Sequence, residues 1–198
     1  MHAKGYIVTQ TIVLQGNFVQ LVDKKNRTIG RSFRIRGECL KILTIEAKRE
    51  GISVNALLNQ VLEGYCTYHR HFSRYGGISL TKNLLTRILE ECPQKAIKEI
   101  AQEEGSQTVM DLFKTFGLDF TYENMIFFLS IILSKYGNWF KYEHHKKNST
   151  EIFYIRHSLG DNGSVFISEL LSTIFKKLNK KMKIEATGET LYLETHLS

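Results

Sequence analysis

The segment that most restricts the fold lies at residues 31–65. Arg31, Ser32, Phe33, Arg34, Ile35 and Arg36 alternate, so Phe33 and Ile35 share one face of a strand and Ser32, Arg34 and Arg36 the other. Leu40, Leu43 and Ala47 follow at helical spacing and stop at Gly51, a residue type that closes helices in a left-handed backbone. Ser53 suits an N-cap. Val54, Leu57, Leu58, Val61, Leu62 and Tyr65 then form an apolar stripe on a second helix, expected to run to about Phe72. Tyr75, Gly76 and Gly77 break that helix and mark a domain boundary. A lone strand leaves two unsatisfied edges, and one strand with two short helices buries too little apolar surface to stand alone. Two copies solve both problems. Their strands pair antiparallel across a two-fold axis, and four helices enclose Phe33, Ile35, Leu43, Leu58 and Leu62 from both chains.

Charge concentrates on the same stretch. The 198-residue chain has a formal net charge of +7. Residues 24–50 hold Lys24, Lys25, Arg27, Arg31, Arg34, Arg36, Lys41, Lys48 and Arg49 against Glu38, Glu46 and Glu50. A basic excess favours polyanions, although a charge run by itself is commonly just a solvated face. Here it coincides with a ribbon that presents Ser32 and Arg34 twice. A two-stranded ribbon fits the major groove of B-DNA, where Arg donates two bonds to guanine O6 and N7. The start of the second helix offers free amides and the positive end of its dipole to a phosphate.

The stretch from Arg31 to Ile35, and from Ala47 through Gly51, Ile52, Ser53, Val54 and Asn55 to Tyr65, resembles the ribbon-helix-helix superfamily, which includes the Arc and Met repressors. The resemblance spans about residues 30–72 and is strongest at 51–55. It implies a DNA-binding homodimer that inserts a β-ribbon in the major groove and clamps phosphates with the start of its second helix. Transferred to this chain, it implies base contacts from Ser32 and Arg34, and phosphate contacts from Ser53, Val54 and Asn55. Arg36 stands where the family often has a proline opening the first helix, so a base contact and a phosphate contact both remain open for it. Gly30 takes the first outward position, which then reads nothing. By charge, Lys24, Lys25, Arg27 and Lys48 are expected to anchor phosphates.

The expected class is α+β in three parts: an N-terminal arm (1–29), the ribbon-helix-helix head (30–74) and an α+β sensor or oligomerisation domain (78–198). Residues 1–22 are apolar and β-branched and fit a strand, a hairpin or an arm on a partner subunit. Beyond residue 78, helices are expected at 79–91 with a Ser79 cap, 93–104 with Pro93 in the first turn and Gly105 past the end, 108–116, and 121–136 with a Thr121 cap. A hairpin of 139–145 with 151–157, a turn at 160–163, a helix at 164–179 and a hairpin of 182–186 with 190–195 complete a ββαββ unit. Phe113, Phe116, Phe120, Tyr122, Phe127, Phe128, Trp139, Phe140 and Tyr142 read mainly as core.

Cys39, Cys66 and Cys92 are too few and too scattered for a disulfide framework or a zinc site, which favours a reduced, cytoplasmic setting. The apolar run at 125–133 is too short to span a bilayer, and no convincing signal peptide opens the chain, so no membrane partner is expected. No nucleophile–base–acid set or paired carboxylates follow from spacing, and the expectation is a non-enzyme without a cofactor. Cys66, His69, His71, His144 and His145 match no metal spacing, and ordinary surface histidines explain them better. His157 with Gly160, Asp161, Asn162, Gly163 and Ser164 resembles an anion-binding nest, although a capped tight turn accounts for it more simply. The expected function is a homodimeric transcriptional regulator, most readily a repressor, on double-stranded DNA. The alternative is an antitoxin-type or ligand- or metal-responsive regulator whose C-terminal domain binds a protein, small molecule or metal.

Overall fold

Gly51 and Ser53 set the first corner of the chain. The computed structural model describes residues 30–196. In it α1 (Gly37–Glu50) closes on Gly51 at φ 68°. The amides of Gly51 and Ile52 bond back to the carbonyls of Lys48 and Ala47 at 3.3 and 2.9 Å. α2 (Val54–Gly64) begins on Ser53, whose Oγ accepts the Ala56 amide at 3.1 Å. The second helix passes through a π turn (Tyr65–His69) into α3 (Arg70–Tyr75), three residues past Phe72, and ends at the expected break with Gly76 at φ 83°.

Within one chain residues 30–36 form no strand, and the expected ribbon needs a second chain's strand beside them. A strand is held by bonds to a neighbour, and this segment joins no ladder among the described residues. Arg36 still has extended backbone, with φ −60° and ψ 137°.

The remaining helices shift by physical reasons that can be named. α4 (Lys82–Glu91) is capped by Thr81, whose Oγ1 takes the Leu84 amide at 3.3 Å, so Ser79 lies outside it. α5 (Gln94–Glu103) starts after Pro93 but does not end at Gly105. The helix continues through a π turn (Glu104–Thr108) into α6 (Val109–Thr115). A Cβ on Gly105 would stand 2.9 Å from the Leu170 carbonyl oxygen, so this glycine serves helix packing rather than termination. α7 (Tyr122–Phe127) opens on Thr121 as expected and continues as a π turn (Phe128–Tyr136). The expected turn at 160–163 is already the first turn of α8 (Gly160–Lys177), with the Gly163 amide on the Leu159 carbonyl.

Four antiparallel strands, β1 (Lys141–Lys147), β2 (Thr150–Arg156), β3 (Met182–Thr187) and β4 (Thr190–His196), form one sheet in the order β1-β2-β4-β3. The chain leaves β2 through α8, lands on the outer edge as β3 and returns to the centre as β4. Two-residue alternation turns Phe153, Ile155, Leu191 and Leu193 onto the helices and Tyr154, Arg156 and Tyr192 away from them. Phe113, Phe116, Phe128 and Phe140 lie fully within this core, while Phe120, Tyr122, Phe127, Trp139 and Tyr142 pack half-buried at its margin. The ββαββ order and both hairpins are as expected, and the mixed α+β class holds. None of the described helices is long and apolar enough to cross a membrane.

Candidate nucleic-acid interface

A capped helix start and an arginine-bearing segment, at opposite ends of α1, are the features the sequence singles out. Ser32, Arg34 and Arg36 are exposed in the segment leading into α1. Arg36 immediately precedes that helix and reaches Cys39 Sγ at 3.9 Å. Lys48 is exposed in the last turn of α1. Neighbouring Arg49 pairs with Glu46 at 3.3 Å at the surface, a contact of little energetic weight. Lys24, Lys25 and Arg27 lie outside the described residues.

Ser53 has a divided role. Its Oγ lone pair is occupied by the Ala56 amide, which leaves its hydroxyl proton available. By helix geometry the amides of Val54 and Asn55 have no intrahelical acceptor, and they stand at the positive end of the α2 dipole. These donors form one compact cap, whereas Arg34 is carried on a separate segment.

The apolar side chains of the head are largely uncovered. Phe33 is 60% exposed, Ile45 65%, Val61 53% and Leu62 50%, and Leu40, Ile42 and Tyr65 are exposed as well. Ala47 and Leu57, at the crossing of the two helices, are buried. Leu43 and Leu58 are only half-buried, as is Ile35. Among the described residues one copy of the head therefore closes a small contact and leaves a broad apolar surface uncovered, which costs on the order of 25 cal/mol per Å² relative to burial.

The far end of the same helix is fixed in the C-terminal core. Tyr68 stacks between Phe72 and Tyr136 at centroid distances of 5.1 and 6.0 Å. Glu63 takes the Lys135 ammonium and the Tyr136 hydroxyl, each at 3.1 Å. His71 lies on the Phe116 ring at 4.8 Å. It accepts from Arg70 Nε at 3.0 Å, so its Nδ1 carries the proton and donates to the Thr115 carbonyl at 2.9 Å. Burial holds this imidazole below its usual range. His71 is thus committed to packing. Its neighbours Cys66 and His69 do not join it in a ligand set, and no group of three candidate metal ligands occurs among the described residues.

Two buried polar clusters lie elsewhere: spacing grouped His157 with Ser164 only as a turn or nest, and it missed the cluster around Glu151. In the first, His157 Nε2 lies 2.9 Å from Ser164 Oγ, a distance typical of a nucleophile and its base. Proton bookkeeping argues otherwise. The Leu159 amide donates to His157 Nδ1 at 3.2 Å, so Nε2 carries the ring proton. That proton goes to Ser164 Oγ, and the serine hydroxyl goes to the Gly188 carbonyl at 2.6 Å. His157 has no lone pair left for the serine proton. The nest reading also closes, because the Gly160 amide is taken internally by Glu189 Oε1 at 3.0 Å. In the second cluster, buried Glu151 accepts the Tyr122 hydroxyl and lies 3.4 Å from both Lys146 Nζ and His144 Nε2. Burial raises the Tyr122 phenol and lowers the His144 imidazole from their usual values. Alternation along β1 and β2 puts these residues on the inner face, but their pairing depends on strand register.

No protein-family model matches the chain, and no curated protein matches it in sequence.

Proposed function

We propose that the chain is a homodimeric, sequence-specific DNA-binding transcriptional regulator of the ribbon-helix-helix type, a repressor acting at the nucleoid in the cytoplasm. The reading rests on one observation. The described residues leave Phe33, Leu40, Ile45, Val61, Leu62 and Tyr65 uncovered on and beside α1 and α2, and an apolar patch of this kind marks a partner site. A two-fold mate that buries it also brings two copies of 31–36 together, which supplies the missing strand neighbour. Ser32, Arg34 and Arg36 then face the major groove. Ser53, Val54, Asn55 and Lys48, with Lys24, Lys25 and Arg27, take phosphates. The C-terminal unit holds α2 in place and adds dimer contacts.

Light scattering at micromolar concentration and a duplex selection followed by anisotropy titration test this reading. The wild type is expected to have the mass of a dimer and to enrich a palindromic site. Leu62→Glu is expected to be monomeric and to lose DNA affinity. Arg34→Ala should stay dimeric and lose about 1–3 kcal/mol per base contact on the selected site, with relaxed sequence preference. A monomeric wild type indifferent to DNA refutes the proposal, and equal losses of Arg34→Ala on selected and random duplexes refute the base-reading role.

A further inference from the structure

A second set of cations gathers outside the head, where α8 ends against one end of the sheet. Lys176 and Lys177 lie in the last turn of α8, Lys180 and Lys181 in the connection that follows, and Lys183 on β3. No acidic residue occurs from Leu170 to Ile184. The β1–β2 turn brings Lys146 and Lys147 to the same end. Lys147 pairs with Thr150, Thr150 with His196, and the adjacent Thr195 with Met182. Thr195 Oγ1 also donates to the Lys181 carbonyl at 2.8 Å. At about 4.8 Å between strands, β1 and β3 are about 14 Å apart here.

Four of these lysines are tied down. Lys146 meets Glu151 at 3.4 Å, Lys177 donates to the Ser106 carbonyl at 2.6 Å, Lys180 lies 5.4 Å over the Tyr122 ring, and Lys183 meets Glu185 at 2.8 Å. Lys147, Lys176 and Lys181 make no ion pair among the described residues. Lys176 and Lys181 line an open groove of about 400 Å³ with Ser172, Asn179 and Met182. Cations in the last turn complement a helix dipole, which accounts for Lys176 and Lys177. That effect fades within a turn and leaves Lys147 and Lys181, which have no ion pair either, without a local reason. All seven are lysines. A lysine is a flexible point charge suited to phosphate oxygens and lacks the planar fork that reads guanine.

We propose that this lysine edge is a second contact to duplex DNA, one that grips the phosphate backbone and reads no bases. The inference rests on the DNA-binding reading above and extends it to the C-terminal unit. An edge about 14 Å across matches phosphates flanking a major groove about 12 Å wide. Backbone contacts of this kind set orientation and affinity, while the head sets sequence.

The full-length chain carrying Lys147→Gln, Lys176→Gln and Lys181→Gln together tests it, beside the matching Glu triple variant. A control triple, Arg87→Glu, Lys95→Glu and Lys98→Glu, alters as many exposed cations on α4 and α5. Anisotropy is read on selected and scrambled duplexes between 50 and 200 mM salt, with circular dichroism melts confirming the fold; should the Glu triple melt early, the Gln triple decides. The Gln triple is expected to lower the slope of log affinity against log salt by about 2.7, close to 0.9 for each lost phosphate contact. Both duplexes should weaken by the same factor, the control should keep its slope, and Arg34→Ala should instead erase the preference between duplexes. An unchanged slope in the Gln triple overturns the lysine edge while the DNA reading stands. Equal slope loss in the control, or loss of sequence preference in the Gln triple, overturns it too. A wild type that binds neither duplex overturns both readings.

Discussion

Ser164→Ala probes how α8 and the β3–β4 turn are fastened to the end of β2. The wild-type chain of bonds runs from the Leu159 amide through His157 and Ser164 to the Gly188 carbonyl. Alanine removes the acceptor of the His157 Nε2 proton and the donor to Gly188. His157 is 5% exposed, so its stranded donor finds no water and costs about 1–3 kcal/mol. The Gly188 carbonyl lies on an exposed turn and regains water, so its loss adds at most about 1 kcal/mol. Together the substitution should cost about 1–4 kcal/mol. For a chain of this size that lowers the thermal midpoint by about 2–16 °C.

Urea denaturation followed by circular dichroism measures the loss, and the m-value should stay constant because the surface exposed on unfolding does not change. A loss below about 0.5 kcal/mol refutes the reasoning, since it means that His157 is already satisfied elsewhere. The same bond chain gives a chemical control. A serine-directed fluorophosphonate should leave Ser164 unlabelled, because His157 cannot accept its proton. Labelling at Ser164 shows the opposite tautomer and turns this pair into a catalytic candidate.

Three further outcomes follow from the packing. His71, His144 and His157 are held below the usual imidazole range, each chiefly by burial. The unfolded chain therefore takes up protons first as pH falls, so stability is intact above about 6.5 and drains away below it, toward the lowered folded values. Urea midpoints between pH 5 and 8 should fall on the acid side, less so in His157→Asn; a flat profile contradicts the assignment. Gly105→Ala should cost about 1–3 kcal/mol, because its Cβ meets the Leu170 carbonyl rather than open space; a neutral thermal midpoint shows that the π turn Glu104–Thr108 and α8 are not closely packed there. Tyr122→Phe removes a hydroxyl from the buried Glu151 carboxylate and should cost about 1.5–3 kcal/mol in the same denaturation assay. An unchanged midpoint there means that Lys146 alone satisfies the acid.

Local signals were legible where a residue acts on its own neighbours. Gly51, Ser53 and Thr121 end or begin helices at their own positions, and the hairpins appear where alternation and turn residues place them. Errors arose where a residue answers to something distant. Gly105 has the composition of a stop but is fixed by α8, which lies some sixty residues later in the chain. The π turn at Tyr65–His69 carried no sequence signal, and it sits where Tyr68 stacks on Tyr136. The His157–Ser164 pair looked like a turn signature because its meaning depends on one amide, Leu159, and on one carbonyl, Gly188. The 31–36 alternation is legible as a strand pattern but has no ladder in a single chain, since a strand is a property of a pair.

The boundary at Tyr75, Gly76 and Gly77 divides the sequence, but the helix before it belongs to both sides. Its first residues, Val54 and Asn55, carry the open amides of the head. Residues 63–72 carry the Glu63, Tyr68 and His71 contacts to the core. Twenty-two residues of helix at 1.5 Å each make a rod about 33 Å long. A helix cannot bend sharply without a proline, an inserted side chain or a π turn. The one π turn here, Tyr65–His69, is packed: Thr67 and Tyr68 are buried within it. The direction of the α2 start is therefore set by the C-terminal core and not by the short contact between α1 and α2. Whatever fastens the core, including the Ser164 pin and the Glu151 cluster, also fixes where the first turn of α2 points.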